Sequence, residues 1–307
     1  ALVDLLSEYD NVAIYGGELN EFKAPGLIGD QLDEKLGDLW GNLVDDYQTT
    51  YTQKLKISRL LLPEWLLKNR RIMNSLFSSG YFKGRIKKLL AAYSLSNLNN
   101  SLHKEEPGSE KLKLANEWIH TLGDIYTEFD EKMRYVVFDN PVSAISDIDI
   151  FSRVFEPFRM ICCIRDPRDQ MANIIKDNYL KLPYMAPKVT WGGMALETLY
   201  GRTRKDAIRL FVDLIMANYR RLDEFTRVFP ESMFKVVRFE DLVNNYHQKK
   251  TEIETFLDGI AGHHQNMKAI FKPALSKQNI GYYQDYLSED EIVMLSPLTE
   301  NYRSIFQ

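Results

Sequence analysis

Four short apolar runs, separated by long stretches of helical periodicity, constrain the fold of this chain more than any other feature. The runs cover residues 11–15, 134–138, 160–164 and 234–238. Strands that alternate with helices favour an α/β fold, in which a parallel sheet is sandwiched by helices. Polar residues follow each run, and the carboxyl ends of parallel strands form the edge at which ligands bind. We therefore expect the functional site at that edge.

The length of the chain allows one large domain over residues 1–307, and helical periodicity between the first two runs predicts a helical insertion at 31–130. The chain has 307 residues, of which 45% are apolar and 27% charged, as in ordinary globular proteins. No apolar run is long enough to span a bilayer. The two cysteines, Cys162 and Cys163, are neighbours and cannot link distant parts of the fold. These features predict a cytoplasmic protein.

Positive charge is concentrated in the predicted insertion. Residues 54–88 hold ten Lys or Arg and one acid, whereas the whole chain has a formal net charge of −4. This stretch favours an anionic partner, such as an acidic glycan, a phosphorylated lipid or an acidic carrier protein. A solvated helix face with inward aromatic residues explains it equally well. Nucleic acid is not expected, because the overall charge is acidic and no nucleic-acid-binding motif occurs.

The segment 160–173 joins a predicted strand directly to a predicted helix. Arg165 follows the apolar run, and Asp166 and Pro167 supply a helix cap and a first-turn proline. A cation is thereby placed at the carboxyl edge of the sheet, where its forked donors suit a phosphate group. The alternative is a capped helix with an arginine at a solvent-facing joint.

This strand–Arg–Asp–Pro–Arg–Asp–helix pattern resembles the sulfotransferases that use 3′-phosphoadenosine-5′-phosphosulfate (PAPS). In that family the arginine at the place of Arg165 contacts the 3′-phosphate of the nucleotide. A serine eight residues later contacts the same phosphate, and Asn173 stands at that position here. The resemblance therefore implies that Arg165 and Asn173 bind the cofactor, with the Asn173 amide as a hydrogen-bond donor.

Two later segments extend the resemblance to the end of the chain. Residues 234–243 are similar to a family strand that ends in Tyr-Glu-Asp-Leu, with Phe239 in place of the tyrosine. We expect the acids there to brace the sheet edge. Residues 276–292 are similar to the Arg-Lys-Gly-x-x-Gly-x-Trp loop that closes over the 3′-phosphate, followed by a helix with a capping box.

Within that loop the chain keeps some family residues and replaces others. Lys277 and Gly281 match, whereas Ser276 replaces the arginine, Gln278 the first glycine and Tyr283 the tryptophan. Ser276 supplies a hydrogen-bond donor without charge. The resemblance implies that Ser276, Lys277 and Gln278 complete the 3′-phosphate site.

The resemblance also implies elements that precede the first residue. Family members carry a strand and a Pro-Arg-Ser-Gly-Thr-Thr-type loop before the helix that corresponds to residues 1–10, and this loop holds the 5′-phosphosulfate. No such loop occurs in the sequence. We expect either that the natural protein begins upstream or that this piece was not retained.

Two acidic residues at predicted strand ends are candidates for the catalytic base. Glu18 follows the first run, where the glycan-modifying branch of the sulfotransferases carries a glutamate base. Asp139 directly follows the second run, where the cytosolic small-molecule branch uses a histidine. The resemblance therefore favours the glycan-modifying and bacterial branch. Alternatively, Glu18 caps a helix and Asp139 opens a turn before Pro141.

Together these resemblances imply a sulfotransferase with a P-loop-type α/β fold. It would move a sulfuryl group from PAPS to a hydroxyl or amine, leaving adenosine 3′,5′-bisphosphate, and the chemistry requires no metal. The acceptor would be a small molecule or a glycan, and it could be anionic or bound to a carrier. The insertion would contact this acceptor. The alternatives are a P-loop-related nucleotide kinase and a non-catalytic domain of sulfotransferase-like fold.

Overall fold

The computed structural model describes residues 1–18, 109–127, 132–139, 148–176, 190–191, 194–195, 203–264 and 267–305. The basic stretch 54–88 and most of the predicted 31–130 insertion lie outside these ranges. The part of the insertion that is described forms one helix, Ser109–Thr127.

The helices of the described ranges are, in chain order, α1 Leu2–Leu6, α2 Ser109–Thr127, α3 Ile148–Val154, α4 Pro167–Lys176, α5 Arg204–Val228, α6 Phe239–Asn244, α7 Tyr246–Phe256, α8 Pro273–Ser276, α9 Glu289–Met294 and α10 Ser296–Ser304. The strands are β1 Val12–Glu18, β2 Tyr135–Asp139, β3 Met160–Ile164, β4 Thr190–Trp191, β5 Met194–Ala195 and β6 Phe234–Arg238. Two 3₁₀ turns cover Lys277–Asn279 and Tyr282–Asp285.

The four predicted strands are present as β1, β2, β3 and β6. The bounds of β3 and β6 match the prediction, β2 is displaced by one residue, and β1 begins one residue later and ends three residues later. The strands pair in parallel, β1 with β2 and β3 with β6, while the short β4 and β5 pair antiparallel. The chain is therefore a mixed α/β protein with short parallel strand pairs and many helices.

The chain divides into two compact units. One consists of residues 10–157 and is called the 10–157 unit. The other combines Ala1–Tyr9 with Phe158–Gln307 and is called the C-terminal unit. Each unit contains one of the parallel strand pairs.

In the 10–157 unit the two strands pair regularly and then depart from register. Val12 to Ile14 lie opposite Tyr135 to Val137, and Glu18 lies opposite Asp139. Between these two pairs β1 advances four residues, whereas β2 advances two. This irregular stretch of β1 contains two consecutive glycines. Glycine tolerates the backbone angles that a bulge requires.

Helices α2 and α3 pack together in the same unit. Trp118 and Leu122 of α2 and Phe151 and Val154 of α3 are buried. The Asn116 side chain donates to the carbonyl of Val154 at 3.0 Å, which satisfies an acceptor at the end of α3. Apolar burial and this cap fix α2 against α3.

In the C-terminal unit β3 and β6 remain in register from Met160–Phe234 to Ile164–Arg238. The long helix α5 packs against α9 and α10. It begins at a capping box in which Thr203 and Asp206 exchange side-chain and backbone hydrogen bonds. The predicted capping box at the start of α9, made by Ser288 and Glu291, is also present. Large buried side chains form the core of this unit, among them Phe211, Phe225, Leu242, Ile253, Phe271 and Leu298.

Among the helices that the structure describes, none is both long and apolar enough to cross a membrane.

Candidate functional site

The joint between β3 and α4 forms as the sequence predicts. β3 ends at Ile164 and α4 begins at Pro167, leaving Arg165 and Asp166 between them. The Asp166 carbonyl accepts the first helical hydrogen bond, from Gln170 at 3.1 Å. The Asp166 carboxylate accepts the backbone N–H of Arg168 at 2.9 Å, so the predicted cap is confirmed.

Arg165 lies between two aromatic rings and the backbone of the 276–283 loop. Its guanidinium carbon is 5.1 Å from the ring centre of Phe239 and 5.3 Å from that of Tyr282. Its Nη2 donates to the carbonyl of Asn279. Within the described ranges, nothing accepts a hydrogen bond from its buried Nε. A buried guanidinium N–H without an acceptor fits a site that takes an anion.

Arg168 of the same motif is engaged differently. Its guanidinium donates to both oxygens of Asp166, at 3.0 and 2.5 Å, and lies 4.3 Å from the ring centre of Tyr283. The hydrogen bond and the charge of Asp166 raise the pKa of the Arg168 guanidinium despite its partial burial. This arginine therefore braces the helix start and the loop.

Asp169 holds the 276–283 loop against α4. Only 1% of this residue is exposed, and its two carboxylate oxygens accept the backbone N–H groups of Gly281 at 2.8 Å and Tyr283 at 3.1 Å. Burial raises the pKa of the Asp169 carboxyl, and these two hydrogen bonds oppose that rise. Gly281 has φ 77°, a left-handed conformation that glycine adopts without strain.

Asn173 joins the same cluster one helical turn further along α4. The Tyr282 hydroxyl lies 2.9 Å from Oδ1 of Asn173 and 3.0 Å from the carbonyl of Asp169. This hydroxyl orients the Asn173 amide and connects it to the loop. The two α4-side residues that the sequence proposes for the cofactor, Arg165 and Asn173, are thus brought to one loop.

The remaining proposed cofactor residues lie at the start of that loop. Ser276 ends α8 and is half-buried, whereas Lys277 and Gln278 are exposed in the 3₁₀ turn that also contains Asn279. The contact of Arg165 with Asn279 joins the β3–α4 joint to the residue that directly follows these three. Their proposed role in phosphate binding remains a prediction.

Glu240, at the start of α6, braces the joint from the β6 side. Its carboxylate accepts the backbone N–H of Asp166 at 3.0 Å and the Tyr302 hydroxyl. Burial and the hydrogen bond to Glu240 raise the pKa of the Tyr302 hydroxyl. The expectation that an acid of the 234–243 segment braces the sheet edge is confirmed for Glu240.

The two proposed bases meet in the 10–157 unit. Glu18 ends β1 and Asp139 ends β2, and their backbones lie opposite each other. Asp139 is partly exposed. Parallel pairing therefore brings both acids to the same end of one strand pair, as the sequence predicts, while the choice between them stays open.

A second buried polar cluster, absent from the sequence predictions, surrounds Glu8. Its carboxylate is 1% exposed and receives the ring N–H of His264 at 2.6 Å. It also accepts backbone N–H groups of Lys268 at 3.1 Å, Ile270 at 2.9 Å and Phe271 at 2.7 Å. Burial alone would raise the pKa of the Glu8 carboxyl, but these four hydrogen bonds outweigh it and lower that pKa.

Sequence reasoning missed Asp169, Tyr282 and Glu8, each of which binds groups far along the chain. Asp169 stands in the quoted motif, yet its partner Gly281 is separated from it by 112 residues. The only sequence signal for Asp169 is its spacing. It lies three residues after Asp166 and four before Asn173, which puts it on the side of α4 that carries Asn173. For Glu8 there is no local signal at all.

No group of three or more His, Cys, Asp and Glu side chains within the described ranges is arranged to hold a metal ion. Comparison with known proteins adds no relative: no protein-family model, no curated protein and no solved structure matches the chain.

Proposed function

We propose that this protein is a PAPS-dependent sulfotransferase. The observation that carries the proposal is the meeting of Arg165, Asn173 and the loop that contains Ser276, Lys277 and Gln278. The contacts Arg165–Asn279 and Asn173–Tyr282 tie Arg165 and Asn173 to this loop, more than a hundred positions later in the sequence. The resemblance assigns this group of residues to one task, binding of the 3′-phosphate.

The chemistry of the cluster suits a doubly charged phosphate. Arg165 offers a planar fork of donors with one N–H lacking an acceptor among the described residues, and Lys277 offers an exposed ammonium group. Ser276 and Gln278 add uncharged donors. Bound PAPS would supply the sulfuryl group and leave as adenosine 3′,5′-bisphosphate, while these side chains hold the nucleotide in place.

The proposed base lies at the end of the β1–β2 pair. A carboxylate there takes the proton from the attacking hydroxyl or amine, which makes the acceptor oxygen or nitrogen a better nucleophile. Glu18 is the favoured group and Asp139 the second. Either acid also fits the absence of a histidine at this place in the sequence.

The proposal includes a P-loop-type architecture in which the parallel strands belong to one helix-sandwiched sheet. It also assigns residues 31–130 to the acceptor side, where the basic stretch 54–88 would attract a glycan or another anionic acceptor. Both statements rest on the resemblance.

A turnover assay tests the proposal. The protein is incubated with PAPS and a panel of hydroxyl and amine acceptors that includes anionic glycans, and release of adenosine 3′,5′-bisphosphate is followed. We expect release that depends on the acceptor. Phosphoryl transfer from ATP under the same conditions would instead identify a nucleotide kinase, and nucleotide binding without turnover of either donor would identify a non-catalytic domain.

A further inference from the structure

Exposed apolar side chains are concentrated in one short segment of the C-terminal unit. Large apolar residues that are more than half exposed occur at five described positions: Val228, Met267, Ile270, Leu275 and Val293. Three of them fall within nine residues, called here the 267–275 segment, with exposures of 51%, 54% and 57%. A single exposed apolar side chain is ordinary, but a group of them marks an interaction surface.

Positive charge is interspersed with these apolar residues. Lys268 and Lys272 are both exposed within the 267–275 segment. No Asp or Glu occurs between Asp258 and Asp285, although the whole chain has a net charge of −4. The segment is therefore a cationic and apolar surface in an acidic protein.

The backbone of the segment is fixed from beneath by Glu8. The buried carboxylate binds the N–H groups of Lys268, Ile270 and Phe271, and the Phe271 side chain is only 1% exposed. With Phe271 anchored in the core, the neighbouring Ile270 remains on the outside. The exposed side chains are thus presented by an ordered backbone, which reduces the entropy lost on binding.

Lys268 also occupies an unusual backbone conformation. Its φ of 60° lies in the left-handed region, which glycine adopts without strain and lysine does not. Strained residues of this kind tend to occur at binding sites. Here a lysine occupies a backbone conformation that glycine would adopt with less strain.

We propose that the 267–275 segment docks on membranes that contain anionic lipid. The two ammonium groups would bind lipid phosphates and carboxylates, while Met267, Ile270 and Leu275 enter the boundary between headgroups and acyl chains. A bilayer offers a negative surface directly above an apolar layer, which matches this mixture of side chains. A purely acidic segment of a partner protein would match the lysines but leave the aliphatic side chains in water. This inference stands independently of the sulfotransferase proposal.

Sedimentation with vesicles tests the inference on the whole chain. We expect binding to phosphatidylcholine vesicles that contain phosphatidylserine, little binding to phosphatidylcholine alone, and weaker binding at high salt. Replacing Ile270 and Leu275 together by serine should weaken binding about ten-fold or more. Lys272→Gln should weaken it about five-fold, the effect of one lysine near an anionic surface.

Val293→Ser is the matched control. Val293 is 69% exposed but lies in α9 beside Glu289, Asp290 and Glu291, so its neighbourhood is acidic. This variant should bind vesicles like the original protein, and melting curves of all variants show that they remain folded. If the double replacement of Ile270 and Leu275 by serine impairs folding, Lys272→Gln alone provides the test.

Three results would overturn the inference. These are failure to sediment with phosphatidylserine vesicles, equal binding to neutral vesicles, and an equal loss of binding in Val293→Ser. If the first of these is accompanied by retention on immobilised polyglutamate, the surface is assigned to an acidic protein.

Discussion

Arg165 and Arg168 show how two identical side chains three residues apart acquire different tasks. Arg168 is paired with Asp166 by two guanidinium nitrogens and stacks on Tyr283. Arg165 has aromatic rings beside it and a carbonyl acceptor for Nη2, but its Nε has no acceptor in the described part of the chain. An incoming phosphate therefore competes with a full ion pair at Arg168 and not at Arg165.

The sequence proposes Arg165 because the strand–helix joint is a local pattern, and the family resemblance proposes Asn173. Asp166 caps α4 through hydrogen bonds to residues two and four positions later. Its role can therefore be predicted from the local sequence. Tyr282 is different. Its bond to Asn173 links positions 109 apart, and nothing in the local sequence distinguishes it from the neighbouring Tyr283.

The choice between the two candidate bases is a residue-scale prediction. Glu18→Gln should lower kcat for PAPS turnover about a hundred-fold or more, because a glutamine side chain cannot accept the acceptor's proton. Asp139→Asn should have a smaller effect. Both variants should retain their affinity for adenosine 3′,5′-bisphosphate, which separates loss of the base from loss of the fold. A larger loss in Asp139→Asn would assign the base to Asp139.

At the scale of elements, the strands and caps were predictable and the register was not. β3 and β6 have the predicted bounds because short apolar runs bounded by polar residues define strands locally. The irregular pairing between Ile14 and Glu18 depends on β2, which lies more than a hundred residues away. The consecutive glycines of β1 permit this irregularity but do not specify it.

The 276–283 loop depends on one side chain from another element. Asp169 is the acceptor for two of its N–H groups, and the loop carries Lys277 and the Arg165 contact at Asn279. Asp169 is therefore a positioning residue, which acts on the proposed phosphate site through the loop.

Asp169→Asn tests that positioning role. An asparagine keeps the shape but offers one acceptor oxygen in place of two, so one buried N–H loses its partner, at a cost of about 1–3 kcal/mol. We expect faster hydrogen exchange at the Gly281 and Tyr283 amides and affinity for adenosine 3′,5′-bisphosphate weakened about ten-fold. The exposed Asp285→Asn in the same segment is the control. Unchanged exchange at both amides would show that Asp169 does not hold the loop.

At the scale of the whole molecule, the α/β alternation was predictable and the division into two compact units was not. Alternation follows from apolar runs along the sequence, whereas the boundaries of the units follow from contacts. The C-terminal unit even includes Ala1–Tyr9, because Glu8 and Tyr9 bind groups about 250 residues later. Such pairings leave no pattern in the sequence of either partner.

Glu8 gives the C-terminal unit a predictable response to pH. The pKa of its carboxyl is lowered in the folded protein, so its stabilising effect is complete above the unfolded value of about 4.5 and is lost as pH falls through the folded value. Glu8→Gln should reduce the free energy of unfolding at pH 7 by about 3 kcal/mol.

Chemical denaturation at neutral and acidic pH measures both effects. Glu8→Gln should lose less stability on acidification than the original protein, since the titrating group is gone, and the exposed Glu231→Gln should behave like the original. Parallel pH dependence of Glu8→Gln and the original protein would show that Glu8 does not control acid stability.

The most direct test of the central claim is a calorimetric titration of adenosine 3′,5′-bisphosphate into the original protein and Arg165→Ala. We predict binding of about micromolar affinity that ATP does not match, weakened ten-fold or more in Arg165→Ala by the loss of one charge-assisted contact. Arg227→Ala, which removes an exposed arginine of α5, should leave the affinity unchanged. Absence of binding, or equal binding by Arg165→Ala, would contradict the assignment of this cluster to the 3′-phosphate.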